Sequence, residues 1–208
     1  MTWHLKLFGP FELSGPEGPA ALASPKLSAL LAYLALARKP VPREEAASLL
    51  WGSHFEEQAR QSIRQALVRL RKAVDSEVLL TNDGTLEINA ALVDCDVHIF
   101  ERLLNSTAID DLRSAVEALS GEFLAGINIH EEAFEQWLSG ERRRLGALAC
   151  DALARLAADE LGVGHAAEAL RHAEACIARD DLREDAHRLA MRALAALGRR
   201  SEIGRAHV

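Results

Sequence analysis

Residues 60–74 read RQSIRQALVRLRKAV, in which Arg60, Arg64, Arg69, Arg71 and Lys72 are five basic side chains without an acidic one between them. Guanidinium and ammonium groups neutralise phosphates, and arginine can pair with both major-groove acceptors of guanine. Glutamine, here Gln61 and Gln65, can pair bidentately with adenine. Wound as an α-helix, the stretch divides into two faces. Ile63, Leu67, Leu70 and Val74 form a narrow apolar stripe suited to packing on a core. The opposite face carries Gln61, Gln65, Val68 and Lys72, flanked by Ser62, Arg64 and Arg69, with Arg60 and Arg71 nearer the apolar boundary. A helix of this kind fits the major groove of double-stranded DNA, with a salt-sensitive affinity as counterions are released. A solvated basic helix face has the same composition, so the neighbouring elements must decide.

Those elements follow an ordered pattern. Short strands at Leu5–Phe8 and Phe11–Leu13 flank the turn pair Gly9-Pro10, and Gly15–Pro19 is a second turn cluster. Ser24 can cap, and Pro25 can open, a helix whose Leu27, Leu30, Leu31 and Leu34 share one face. Lys39–Pro42 stops it, a second helix spans Arg43–Trp51, and after Gly52-Ser53 a third covers Glu57–Val74. Two strands around Asp83-Gly84 then read as a hairpin. Strands, helices and hairpin in this order predict a winged helix-turn-helix, whose third helix is the reader. The hairpin, as wing, offers Asn82, Asp83, Thr85 and Glu87 and no cation. Either it touches DNA through Asn82 and Thr85 or it is structural.

Asp94 and Asp96 are placed to cap a helix at Val97–Leu104, and everything beyond is predicted helical. Leu153, Ala157, Leu161 and Gly162 recur as Leu189, Ala193, Leu197 and Gly198, an offset of 36, and Gly164 recurs as Gly198 at 34. Helix pairs at this period predict tetratricopeptide-type repeats. The fold class is thus mostly α: an N-terminal winged helix-turn-helix with small β elements in residues 1–93, then an all-α repeat domain in 94–202. Ile203–Val208 match a sequencing adapter read in frame, so residues 203–208 are expected to be a non-native tail on a gene that continues past Ser201.

The formal charge of −7 argues against an unselective nucleic-acid coat. Residues 1–96 are near neutral, with 10 basic and 12 acidic side chains, whereas residues 97–208 have 14 and 19. The acidity is mainly a property of the second half. Cys95, Cys150 and Cys176 have neither paired number nor metal-ligand spacing. No signal peptide or membrane span is legible, and a reducing cytoplasm is the expected location.

Against this background the chain resembles the SARP family of antibiotic-pathway activators, which join a response-regulator-type winged helix to a bacterial transcriptional activator domain. The residues that carry the likeness are LKLFGPFEL from Leu5, LLAYLAL from Leu30, REEAASLLW from Arg43 and QARQSIRQALVRLRKAV from Gln58. Further on come VDCDVHIFERLL from Val93, GEFLAGI from Gly121, FEQWLSGERRRL from Phe134 and DLREDAHRLAMRALAALGRR from Asp181. The resemblance implies binding to direct-repeat promoter DNA and recruitment of RNA polymerase. It also implies that larger members append ATPase, cyclase or further repeat domains. Double-stranded DNA and RNA polymerase are the expected partners, with a homodimer on DNA left open, and no membrane. The expected DNA contacts are Gln61, Ser62, Arg64, Gln65, Val68, Arg69, Arg71 and Lys72, with Asn82 and Thr85 from the wing.

Other motifs have plainer explanations. Gly162–Ala167 matches a dinucleotide-binding glycine pattern but follows a helix, so it reads as a helix–helix turn. His130-Glu131-Glu132 lacks the second histidine of a zinc site. Arg142–Arg144 form the basic edge of an amphipathic helix. No catalytic set is recognised, so no enzyme activity and no cofactor are expected. The alternative functions are a protein-interaction module whose winged helix has lost DNA contacts, and the front end of a multidomain ATPase or cyclase.

Overall fold

The computed structural model describes residues 2–203. Two compact units emerge: one holds the chain up to Ile99 together with Ser120–Arg142, the other Phe100–Leu119 and the chain from Arg143 onward. Neither is a contiguous segment. The expected tail residues Gly204–Val208 lie outside the described residues.

The first unit begins with β1 (Trp3–Lys6), β2 (Glu12–Gly15) and β3 (Gly18–Pro19), an antiparallel meander. Next come α1 (Pro25–Ala37), β4 (Val41–Pro42), α2 (Arg43–Trp51) and α3 (Glu56–Ala73). The hairpin β5 (Leu79–Asn82) and β6 (Thr85–Ile88) follows, then β7 (Val93–Cys95). β7 runs parallel to β1, giving a four-stranded sheet ordered β3-β2-β1-β7. β4 pairs with β6 in a second sheet, β4-β6-β5. The expected stop at Lys39–Pro42 therefore contains a strand. α1 supplies a nearly dry helix: Leu27, Leu30, Leu31 and Leu34 are all buried. Ser24 has the extended backbone of a cap, but its side chain makes no capping bond; its carbonyl accepts from Leu27 N at 3.0 Å instead.

Asp94 does not cap the next helix, α4 (Asp96–Leu104). It sits in β7, beside His4 at 3.8 Å. Asp96 does accept from Val97 N, at 2.8 Å, and its carboxylate also takes the amides of Leu7 and Phe8 at 2.9 Å, tying the end of β1 to the start of α4. Burial raises the Asp96 carboxyl above its ordinary range, although the three amides pull the other way.

The expectation of unbroken helix after α4 fails after α5 (Ile109–Glu117). Residues 119–131 form no helix and run to the start of α6 (Glu132–Gly162). Leu124 N donates to Leu7 O at 2.8 Å, and Gly9 N donates to Glu122 O at 3.0 Å. A side chain at Gly121 would put its Cβ 2.9 Å from Gly9 Cα, so only glycine permits this approach. Glu131, with a side chain only 5% exposed, accepts from Lys26 Nζ at 2.7 Å and from Ser53 N and Oγ at 3.0 Å. Burial alone would raise its carboxyl; Lys26 and Ser53 outweigh this and hold it below the usual range. Phe134 and Leu138, in the first turns of α6, are fully buried, and Trp137 meets Tyr33 edge-on at 5.3 Å.

The second unit packs the later part of α6 with α7 (Ala166–Ile177), α8 (Glu184–Ala196) and the short α9 (Arg200–Ile203). Its core is small-residue rich: Ala154, Ala157, Ala169, Ala173, Ala190 and Ala193 pack with Leu170, Leu189 and Leu194. Alanine favours helix and lets backbones approach closely. α6 and α8 end alike. Gly164 and Gly198 take positive φ, while His165 N reaches Glu160 O at 2.8 Å and Arg199 N reaches Leu194 O at 2.9 Å, a Schellman closure in both. The glycine pattern at Gly162–Ala167 is thus a helix–helix turn. The two extra residues that separate offset 36 from offset 34 lie within α6 itself. Cys150 and Cys176 are buried thiols, each donating to the other's carbonyl. Burial first, then the neighbouring thiol, pushes Cys176 up to about 12. No helix among the described residues is long and apolar enough to cross a membrane.

Candidate nucleic-acid interface

α3 is anchored by one face only. Ala59, Ile63, Ala66, Leu67 and Leu70 are buried, and so is Val74 just beyond the helix. The apolar stripe read from sequence is therefore the packed face, widened by two alanines that let α3 lie close to its neighbours. On the other side Gln61, Arg64, Gln65, Arg69 and Lys72 are exposed, and Ser62 is partly so. Val68 is 54% exposed among these polar groups.

The basic residues of α3 divide into two sets. Arg60 pairs with Glu56 one turn back and with Glu44 of α2 at 3.3 Å. Arg71 donates from Nη2 to Thr81 Oγ1 at 2.7 Å, joining α3 to the hairpin. Sequence reading missed this partner, because nothing in the spacing of Arg71 and Thr81 announces it. Arg64, Arg69 and Lys72 make no hydrogen bond or ion pair among the described residues. A carboxylate-free set of exposed cations on one helix face can take up phosphate or base-edge acceptors without first breaking a bond.

The hairpin is fixed beside α3. Asp83 (φ 41°) and Gly84 (φ 81°) are consecutive left-handed residues, the geometry of a tight type I′ turn. Gly84 O accepts from Arg43 N at 2.9 Å. Thr85 Oγ1 is spent within the turn on Asn82 O at 2.6 Å, whereas the Asn82 side chain is exposed. Between turn, α2 and α3 lies a cleft of about 580 Å3 lined by Arg43, Arg60, Arg64 and Thr85. The Nε of Arg43 is buried there with no hydrogen-bond partner. Arg43 was not among the expected contacts; its place immediately after Pro42, at the start of α2, was the available signal.

Of the Arg142–Arg144 run, Arg142 donates to the carbonyls of Phe123 and Leu124 at 2.9 Å, and Arg144 pairs with Glu101. Arg143 stays exposed.

Residues 95–205 match the family model of the bacterial transcriptional activator domain. This chain belongs to that family and is a SARP-type transcriptional regulator. It is 29% identical over 197 residues to the regulatory protein AfsR of Streptomyces coelicolor, an alignment that covers 88% of this chain and 19% of that protein. In fold it is similar to Mycobacterium tuberculosis EmbR, solved in complex with a low-affinity phosphopeptide: the TM-score is 0.78 at 21% identity, over 98% of this chain and 57% of the other. The chain thus spans about a fifth of the curated relative it matches. The winged helix-turn-helix followed by a tetratricopeptide-like helical domain is the fold expected from the sequence.

Proposed function

We propose that this regulator binds double-stranded DNA with α3 in the major groove. The observation that carries the reading is the division on α3: Arg60 and Arg71 are held by the fold, while Arg64, Arg69 and Lys72, beside Gln61 and Gln65, have no hydrogen-bond or ion-pair partner among the described residues. In this reading Arg64, Gln65 and Gln61 read base edges, and Val68 offers an apolar surface to a thymine methyl. Lys72 and Arg69 meet phosphates, Ser62 and Asn82 hydrogen-bond at the edges, and Arg71 and Thr85 hold the wing in place. Residues 1–93 carry the DNA contacts and 94–202 the activator contacts. Binding to direct repeats, as a homodimer, and contact with RNA polymerase extend the same proposal; they rest on the family likeness.

The test is selection of bound sites from random duplexes, then titration at several salt concentrations. Arg64→Ala or Gln65→Ala should relax sequence preference by about 1–3 kcal/mol per lost base contact. Lys72→Ala should weaken all duplexes alike and flatten the salt slope by roughly one unit. Unchanged binding in all three variants would remove α3 from the interface.

A further inference from the structure

The second unit contains a groove of about 730 Å3 between the end of α4, the middle of α6 and α8. Its walls include Leu104, Leu148, Ala152 and Leu189, an apolar floor. Arginines ring it. Arg183 is already neutralised: Asp151 lies at 2.7 Å and Asp185 binds it through both oxygens at 3.0 and 3.1 Å. Arg183 holds the Asp185 carboxyl below its usual range. The two acids of the groove are thereby used up, and the remaining charge is that of Arg155, Arg188 and Arg192.

Arg188 and Arg192 make no hydrogen bond or ion pair among the described residues, and Arg155 makes one long contact, 3.4 Å, to Leu104 O. Arg188 and Arg192 stand one turn apart on the same face of α8. Like charges at that spacing oppose helix formation, so the fold itself gains nothing from the pair. The cations are concentrated here although residues 97–208 carry more acid than base.

We propose that this groove binds an acidic peptide segment of a partner protein, with carboxylates on the arginine rim and apolar side chains on the floor. The site is built from residues of the second unit alone and does not depend on the DNA reading. An apolar floor and the separated rim cations of Arg155, Arg188 and Arg192 suit a peptide of alternating acidic and apolar residues. They suit a phosphate backbone poorly, since that calls for a continuous cationic track.

The experiment uses the full chain and fluorescence anisotropy with a labelled peptide in which glutamates alternate with leucines and alanines. A matched peptide with glutamine for glutamate, and oligothymidylate as unlabelled competitor, complete the set. Saturable binding of the glutamate peptide is expected, with the glutamine version failing and oligothymidylate not competing. The Arg188→Glu, Arg192→Glu double variant should bind roughly tenfold more weakly, each rim pair contributing modestly. Arg143→Glu, the same kind of charge reversal at a single exposed residue outside the groove, should leave affinity within about twofold. The Arg188→Gln, Arg192→Gln pair repeats the test without charge reversal and should weaken binding in the same direction. No binding of the glutamate peptide, equal binding by the double variants, or displacement by oligothymidylate overturns the proposal.

Discussion

On α3, Arg64, Arg69 and Lys72 form no ion pair with a carboxylate among the described residues. In the second unit Arg113 closes on Glu160 through Nε at 2.9 Å and Nη2 at 2.8 Å, with His165 on the other oxygen at 2.7 Å. Both sets are basic residues on helices, and in the bare sequence they look alike. The difference is where the countercharge comes from. An arginine whose charge is met inside its own unit is architecture, and one left unmet is available to a partner. The contrast makes a strong claim: substitutions in the first set should spare stability and damage binding, and those in the second should do the reverse.

The largest effect should come from the buried side of α3. Leu67 is 4% exposed, and truncating a buried leucine to alanine typically costs about 2–5 kcal/mol. Leu67→Ala should lower the thermal midpoint and abolish DNA binding together. A variant that melts like the parent yet fails to bind would move Leu67 to the docking face and collapse the two-sided description of α3.

Next in size is Arg113→Ala. It leaves Glu160, 5% exposed, with His165 as its remaining side-chain partner. An under-satisfied buried acceptor lowers stability, and the partial exposure of Arg113 keeps the expected loss below that of the Leu67 truncation. Denaturant melts of Arg113→Ala beside Arg64→Ala sharpen the comparison, since Arg64→Ala should shift stability by no more than about 0.5 kcal/mol. Equal losses in both would show that pairing does not sort these arginines.

The smallest effect is read by pH. Arg113 and then His165 hold the Glu160 carboxyl below its ordinary value of 4.5. That stabilisation is present above the ordinary value and is lost as pH falls through the folded one. Burial lowers His172 from 6.5, so below that value the unfolded chain takes up a proton that the folded chain resists. Both groups therefore destabilise the helical unit on acidification, His172 first. Thermal midpoints should fall between about pH 6.5 and 5 in the parent and fall less in His172→Gln. A profile unchanged by that substitution would assign the early loss elsewhere.

Much of this was written locally in the chain. α2 occupies the predicted Arg43–Trp51, because apolar residues recur at helical spacing between Pro42 and Gly52. The Asp83-Gly84 turn needs two left-handed residues and has two that tolerate the conformation. The two faces of α3 follow from one period. What stayed hidden depends on partners far away. β4 is two residues and β7 three, too short to show any alternation; each is a strand only because β6 or β1 lies alongside. Asp96 read as a helix cap, and its larger task with Leu7 and Phe8 needed a sheet that brings residues 89 positions apart together. The α3 site was half legible: type and face were plain, but Thr81 and Glu44 as keepers of Arg71 and Arg60 were not.

The return of Ser120–Arg142 to the first unit bears on how such a regulator can be inherited in pieces. A gene junction after β7 looks like the natural seam between reader and activator. A chain cut there would lose the Glu131 bonds to Lys26 and Ser53, and the covering of Phe134, Leu138 and Trp137. Exchange of the reading module between relatives would have to carry two separated stretches of coding sequence at once. Recombination at a single point would deliver a reader with an open core, so the two parts are bound to one another in descent.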